Sequence, residues 1–139
     1  MVVLLALLSD SSADAKHRLV IQGNNKLAIV DSDGKIEWEM KWGGIHDVHV
    51  LKNGNIMVQE RNRKVVEIDR KTKKVVWSYD AATSNGNEGQ RVEVHAFQPL
   101  ANGNFMVAES GTGRIIEIDH DGKLQKEVKL KLNNPNPHS

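Results

Sequence analysis

Three histidines stand at matching places of a repeated sequence and are the first candidates for chemistry. His46 opens the stretch HDVHVLKNGNIMVQE, and His95 opens its near twin HAFQPLANGNFMVAE. His138, close to the end of the chain, would open a further copy. Imidazoles brought together could bind a metal, move protons or contact an anion. The structural alternative is that each ring bonds a backbone carbonyl of the neighbouring repeat and recurs only because the repeat does.

Charged side chains flank these histidines and are candidates for ligand contact. They are Asp47, Glu60, Arg91 and Glu109. Glu60 and Glu109 close the two repeated stretches at the same position. A two-residue hairpin would place His95 opposite Ser110 and turn Glu109 to the other side of the sheet, whereas a β-bulge would change this pairing. A His–Glu pair therefore depends on the register of these strands.

Composition and motifs exclude several classes of function. Lysine and arginine total 19 against 18 acidic residues, for a net charge of +1. This balance argues against a nucleic acid or an anionic membrane as partner. No cysteine is present, which excludes disulfides and thiolate metal sites. The sequence contains no P-loop, Rossmann fingerprint or Ser-His-Asp arrangement, and it identifies no cofactor.

The elements that must position these residues are short β-strands. β-branched residues dominate the apolar runs, the connections are short, and no segment has a sustained helical period. Asn-Gly supplies the positive φ values of a tight hairpin, and the acidic turn at residues 31–37 fits an Asp-Gly hairpin better than a calcium loop. In the middle repeat the predicted strands are His46–Leu51, Ile56–Glu60, Val65–Asp69 and Val75–Tyr79. Four antiparallel strands in 40–50 residues indicate a blade of a β-propeller.

The blade count predicts an all-β propeller fragment whose ring is not closed. Residues 16–42 form a partial blade without its innermost strand, 43–80 a blade, 81–132 a loop plus a blade, and 133–139 the start of the next. A ring needs about four to eight blades. The simplest inference is a piece of a longer protein, and the alternative is a short chain that oligomerises. We therefore expect the partners to be the remaining blades of the same protein or other protein chains. Binding of a small-molecule ligand is compatible with this architecture.

The longest connection, residues 81–91, lies between the second and third blades. Histidines that begin innermost strands would line one mouth of the channel, and this loop would lie beside His95. We expect such a loop to serve recognition. The alternative is a mobile surface loop.

The N-terminus predicts export. An apolar run at residues 2–8 is followed by Ala13-Asp14-Ala15, an A-x-A pattern typical of a signal-peptide cleavage site. Residues 1–15 are therefore interpreted as a truncated signal peptide without its basic start, and the protein as periplasmic or secreted. The apolar run is too short to span a bilayer. The alternative is a disordered or core-packed segment.

Two short segments resemble the tryptophan-containing repeat of quinoprotein-like (PQQ-like repeat) propellers. DRKTKKVVW at 69–77 carries four of the motif residues, namely Asp69, Thr72, Lys74 and Trp77. Lys73 replaces the motif's glycine. DSDGKIEW at 31–38 is a shorter version ending in Trp38, and Lys126 takes the place of tryptophan in the last copy. The resemblance covers residues 18–132 and implies that Trp38 and Trp77 dock one blade onto the next, in a family whose repeats serve both enzymes and scaffolds.

A second resemblance concerns the opening stretch. HDVHVLKNGNIMV is similar to a segment of the arylsulfotransferase-like propellers, whose channel histidines transfer a sulfuryl group between phenols. The resemblance implies His46 and His95 as catalytic candidates, although Ala96 follows His95 where Asp47 follows His46. Two hypotheses result: an exported binding or scaffold module, or an enzyme of arylsulfotransferase-like or quinone-dependent type.

Overall fold

The computed structural model describes residues 17–43 and 47–131, and these form three antiparallel sheets. Blade 1 contains β1 (Leu19–Gly23), β2 (Lys26–Val30) and β3 (Ile36–Lys41). Blade 2 contains β4 (Val48–Val50), β5 (Ile56–Glu60), β6 (Lys64–Asp69) and β7 (Lys74–Asp80). Blade 3 contains β8 (Val94–Pro99), β9 (Phe105–Glu109), β10 (Arg114–Ile118) and β11 (Leu124–Lys129). The only helix in the described ranges is the single 3-10 turn Ala81–Thr83.

Within each blade the strands pair in chain order, so every sheet is a meander of hairpins. Blade 1 has three strands and lacks the innermost one, while blades 2 and 3 have four. No sheet of the described residues closes into a ring. The predicted all-β, unclosed propeller architecture is confirmed. Residues 1–15 and 133–139, to which the sequence assigns a signal peptide and the start of another blade, lie outside the described residues.

The Asn-Gly-Asn turns are repeated because one glutamate clamps each of them. In blade 2 the side-chain amides of Asn53 and Asn55 donate to Oε1 of Glu67, over 3.1 and 2.7 Å. Gly54 has a φ of 84°, which favours glycine at the tip of the turn. Blade 3 repeats the clamp on Glu117, with bonds of 3.1 Å from Asn102 and 2.6 Å from Asn104. Each turn is therefore held by a glutamate of the following strand, β6 in blade 2 and β10 in blade 3.

The turn between β6 and β7 explains the motif that carries the quinoprotein resemblance. Oδ1 of Asp69 accepts hydrogen bonds from the backbone N–H and the hydroxyl of Thr72, over 2.7 and 2.9 Å. The bonds from Thr72 lower the pKa of Asp69. Lys73 has a φ of 58°, so the motif's glycine position keeps its left-handed backbone despite the substitution.

Alternation of side chains lets the middle blade bury both of its faces. Ile56 and Val58 pack with Leu27 of blade 1, while Met57, between them, joins the cluster that contains Phe105 of blade 3. Both clusters lie between sheets, and each fully buried aliphatic side chain contributes about 1.5–3 kcal/mol. Stacking of blades therefore supplies the core.

Candidate functional site

Asp47 and His49 tie the innermost strand of blade 2 to that of blade 3. Oδ2 of Asp47 accepts from the backbone N–H of Phe97 over 3.2 Å, and Oδ1 accepts from the backbone N–H of Val48 over 3.0 Å. Nε2 of His49 donates to the carbonyl of Phe97 over 2.8 Å and lies 3.3 Å from Oδ1 of Asp47. The imidazole also meets the Phe97 ring edge-on, with 5.1 Å between centroids. Asp47, a predicted ligand contact, is thus occupied in joining two blades.

Sequence reasoning missed His49. Comparison of the repeats favours positions that carry the same residue in both copies, and blade 3 has Gln98 where blade 2 has His49. The available signal was the H-D-x-H pattern itself, since Asp47 and His49 lie two residues apart on a strand and so project to the same side.

Glu109 is the centre of a buried polar network. Its side chain is fully buried, and Oε1 accepts from the Tyr79 hydroxyl over 3.0 Å. Oε2 accepts from Nε of Arg114 over 2.7 Å and from the side-chain amide of Asn87 over 3.0 Å. Burial, reinforced by the nearby carboxylate, raises the pKa of Tyr79 above its ordinary value, so that Tyr79 stays a donor. These partners satisfy the buried charge, and Glu109 joins blade 2 to blade 3.

The loop at 81–91 belongs to this network. Asn87 is buried and donates to the carbonyl of Ala81 over 2.7 Å, while its own Oδ1 accepts from Arg114 over 2.9 Å. Asn85 donates to the Tyr79 hydroxyl and to the carbonyl of Gly122, each over 3.1 Å. Hydrogen bonds therefore pin the loop between the blades, whereas Glu88, Gln90 and Arg91 remain exposed.

A β-bulge separates His95 from Glu109. Val94 pairs with Glu109 and Ala96 with Ala108, so His95 is left out of the ladder. Of the two registers that the sequence left open, the structure therefore has the bulge and not the one with His95 opposite Ser110. The buried network draws Glu109 toward blade 2, while the side chain of His95 is 44% exposed and its Nε2 lies 3.9 Å from Oε2 of Glu93.

Of the remaining candidates, Arg91 shares the carboxylate of Glu93 with His95. Glu60 is half-buried, and its carboxylate lies 3.9 Å from Nζ of Lys64. Arg91 is exposed and bonds Glu93 over 3.1 Å. His46 and His138 lie outside the described residues, so the shared histidine rim stays a prediction.

The tryptophans reach from one blade to the next. The indole N–H of Trp38 donates to the carbonyl of Arg70 over 2.8 Å, and that of Trp77 donates to the carbonyl of His120 over 2.7 Å. Each acceptor lies in the turn before the outermost strand of the following blade. Both indoles are partly buried and pack against the hydrophobic clusters between the sheets. Trp77 also packs on Phe105, with 4.8 Å between centroids.

Trp42 and Gln59 form another contact that sequence reasoning missed. The indole of Trp42 donates to the backbone carbonyl of Gln59 over 3.1 Å. The Gln59 side chain is fully buried, and its amide donates to the carbonyl of Val94. Blade 1, blade 2 and blade 3 are thereby linked through one strand.

Two of the clefts formed by the described residues are lined by histidine and carboxylate side chains. The larger one, about 600 Å³, lies between the turns of blades 2 and 3 and is lined by His49, Glu67 and His120 among others. A second one, about 280 Å³, is lined by His95, Glu109 and Arg114 among others.

Within the described ranges there is no group of three or more histidine and carboxylate side chains placed to hold a metal ion. Those ranges also contain no helix with the length and apolar character needed to cross a membrane.

Solved structures resemble this chain at low sequence identity, which shows the fold alone. A crystal structure of a protein of unknown function from Bacteroides caccae matches with a TM-score of 0.54 and 18% identity, over 82% of this chain and 42% of that one. Raptor from Chaetomium thermophilum matches with a TM-score of 0.59 and 15% identity, over 80% of this chain and 10% of that one. The chain therefore spans less than half the length of either protein.

A match to a protein-family model shows the family to which the chain belongs. No curated protein matches. The model described as outer membrane protein assembly factor BamB matches residues 18–136, which include every strand of the three blades. This match confirms the resemblance to the PQQ-like repeat propellers, and the chain therefore belongs to the BamB-like family of PQQ-like repeat β-propellers.

Proposed function

We propose that this chain is an exported propeller module that binds or scaffolds other proteins. The carrying observation is that two of the polar groups expected to form a site, Asp47 and Glu109, are occupied in joining blades. Both carboxylate oxygens of Asp47 and of Glu109 accept bonds from the protein itself. The description of the family, an assembly factor for outer membrane proteins, supports a protein as the partner.

Export and membership in a larger ring complete the proposal. The A-x-A pattern at residues 13–15 supports a periplasmic or secreted location, as does the family description. Three unclosed blades support a larger ring, whose other blades belong to the same protein or to another chain.

Fusing residues 1–20 to an alkaline phosphatase that lacks its own signal tests export. Phosphatase activity outside the cytoplasm is expected, and its absence would contradict export.

Site-specific photo-crosslinking in cells tests the binding role. A photoreactive amino acid at Ala101, exposed on the rim of the larger cleft, should give discrete adducts with protein. The matched control carries it at Gln125, exposed on an outermost strand. Adducts at neither position, or equal adducts at both, would contradict a protein-binding face around this cleft.

One observation favours the enzyme hypothesis as a second candidate. His95, which the resemblance to the arylsulfotransferase-like propellers implies as a catalytic residue, is exposed and lines a cleft of about 280 Å³. The test is sulfuryl transfer from 4-nitrophenyl sulfate to phenol by the full chain, with His46→Ala/His95→Ala as the variant. Turnover that the double substitution abolishes without loss of folding would establish an arylsulfotransferase-like role. Binding of a quinone would instead be followed by its absorbance.

A further inference from the structure

The glutamate clamps of blades 2 and 3 hold equivalent turns, but only the clamp of blade 3 meets a cation. There, Oε1 of Glu117 accepts from the two asparagines of the turn, and Oε2 lies 3.3 Å from Nζ of Lys126. Strand pairing places Lys126 directly opposite Glu117. In blade 2 the residue opposite Glu67 is Trp77, so an indole takes the place of the ammonium group.

Glu67 is a buried carboxylate at an open cleft. The residue is 7% exposed and lines the cleft of about 600 Å³ between the turns of blades 2 and 3. Its two hydrogen bonds within the described ranges both go to Oε1, and no side chain of those ranges forms an ion pair with it. A carboxylate withdrawn from water is costly unless an opposite charge meets it. A cation that entered the cleft would therefore be bound by Oε2.

Aromatic rings form another part of the lining of this cleft. Phe105 and His120 both line it, with 6.1 Å between their ring centroids. Trp77 packs on these two rings, with centroid distances of 4.8 and 5.6 Å. Aromatic rings attract cations and cover the aliphatic stems of long basic side chains. One carboxylate among rings suits a lysine or arginine side chain better than a metal ion, which needs several oxygen or nitrogen ligands.

We propose that this cleft receives a lysine or arginine side chain of a partner protein, whose charged group pairs with Oε2 of Glu67. The inference rests on the proposed function, in which the chain binds other proteins, and it names the residue type that the partner presents. Lys126 shows the arrangement within the chain itself, because its ammonium group pairs with the matching oxygen of Glu117. The lining residues come from blades 2 and 3 alone.

Titration of the full chain with blocked tripeptides, followed by NMR, tests the site. Gly-Arg-Gly and Gly-Lys-Gly should shift the indole N–H resonance of Trp77, whereas the neutral Gly-Gln-Gly should not. Glu67→Gln should weaken this binding about tenfold or more, since the amide keeps Oε1 for the asparagines but removes the charge. The matched control Glu117→Gln should leave binding unchanged, because the carboxylate of Glu117 is already paired.

The titration also gives the outcomes that would overturn the inference. They are equal shifts with the arginine and glutamine peptides, no shift at millimolar peptide, or unchanged affinity in Glu67→Gln. Added sodium chloride is a further measurement that needs no variant, since salt screens the attraction between the charges. Binding that is independent of salt would contradict the pairing with Glu67.

Crosslinking in cells separates this inference from the proposed function. Adducts at Ala101 that disappear with Glu67→Gln and persist with Glu117→Gln would support a basic side chain of the partner in the cleft. Adducts that survive Glu67→Gln would overturn the inference and leave the protein-binding role standing. A lack of adducts in the presence of the native Glu67 would contradict the proposed function, and a protein partner for the cleft with it.

Discussion

Glu60 and Glu109 stand at the same backbone position of two blades, yet their surroundings differ. Glu60 lies at the surface near Lys64, whereas Glu109 is fully buried and bonded to Arg114, Asn87 and Tyr79. A buried ion pair stabilises little by itself, but removing one partner leaves the other charge unpaired. The same residue type in the same repeat therefore has two different structural roles.

Glu109→Gln should destabilise the chain strongly. The amide keeps the shape of the side chain but leaves the guanidinium of Arg114, which is 10% exposed, with Glu127 as its remaining carboxylate. We expect a loss of about 3–5 kcal/mol in the free energy of unfolding, measured with urea. The matched control Glu60→Gln should cost less than about 0.5 kcal/mol. Equal losses of unfolding free energy in the two variants would show that the buried network contributes no more to stability than the surface ion pair of Glu60.

The sequence predicted which residue types recur but not what they contact. Glu109 and Asp47 were both recognised as candidates, because they flank the repeated histidines. Their partners lie in other blades, and cross-blade contacts leave no trace in a single repeat. The bulge at His95 was one of two registers that the sequence left open, and the structure has the bulge.

At the scale of elements, the hairpins are the best-predicted part of the molecule. Asn-Gly turns and β-branched runs give the four strands of the middle blade to within about two residues. The loop at 81–91 was the hardest element, because burial of Asn87 depends on Glu109 and Arg114 from blade 3.

The turn clamp predicts a pH dependence. Hydrogen bonds from Asn104 and Asn102, together with Lys126, hold the pKa of Glu117 below its ordinary value of 4.5. A carboxylate with a depressed pKa stabilises the fold above its unfolded pKa, and this contribution is lost as the pH falls through the folded pKa. Glu117→Gln should therefore lower the urea midpoint at pH 7, and the gap from the wild type should narrow as the pH falls below about 4. A gap that is constant with pH would rule out this linkage.

A close backbone approach predicts an intolerant glycine. A Cβ atom on Gly111 would lie 1.6 Å from the carbonyl oxygen of Arg91, at the end of the pinned loop. Gly111→Ala should lower the free energy of unfolding by about 1–3 kcal/mol or more, because the loop must shift. Gly23→Ala is the control, since a Cβ atom there meets nothing within 4 Å. Thermal melts of both variants decide the matter, and similar melting temperatures would contradict the close approach.

At the scale of the whole molecule, stability should be graded across the stack. Blade 2 is covered on both faces, while blades 1 and 3 each have an exposed one. Amide hydrogen exchange should therefore be slowest in β5 and β6 and fastest in the outermost strands β3 and β11. Uniform exchange across the three blades would contradict this gradient.

Every strand pair in the described blades joins strands that are neighbours in the sequence. Contacts of low sequence separation form quickly, and a stack of repeats can nucleate in one unit and grow into the next. A growing polypeptide could therefore complete each blade soon after its last strand emerges, before the following blade has been made. The indole N–H groups of Trp38 and Trp77 donate to carbonyls of the blade that is synthesised later. Each completed blade would then expose an unpaired indole donor until the next blade has folded against it.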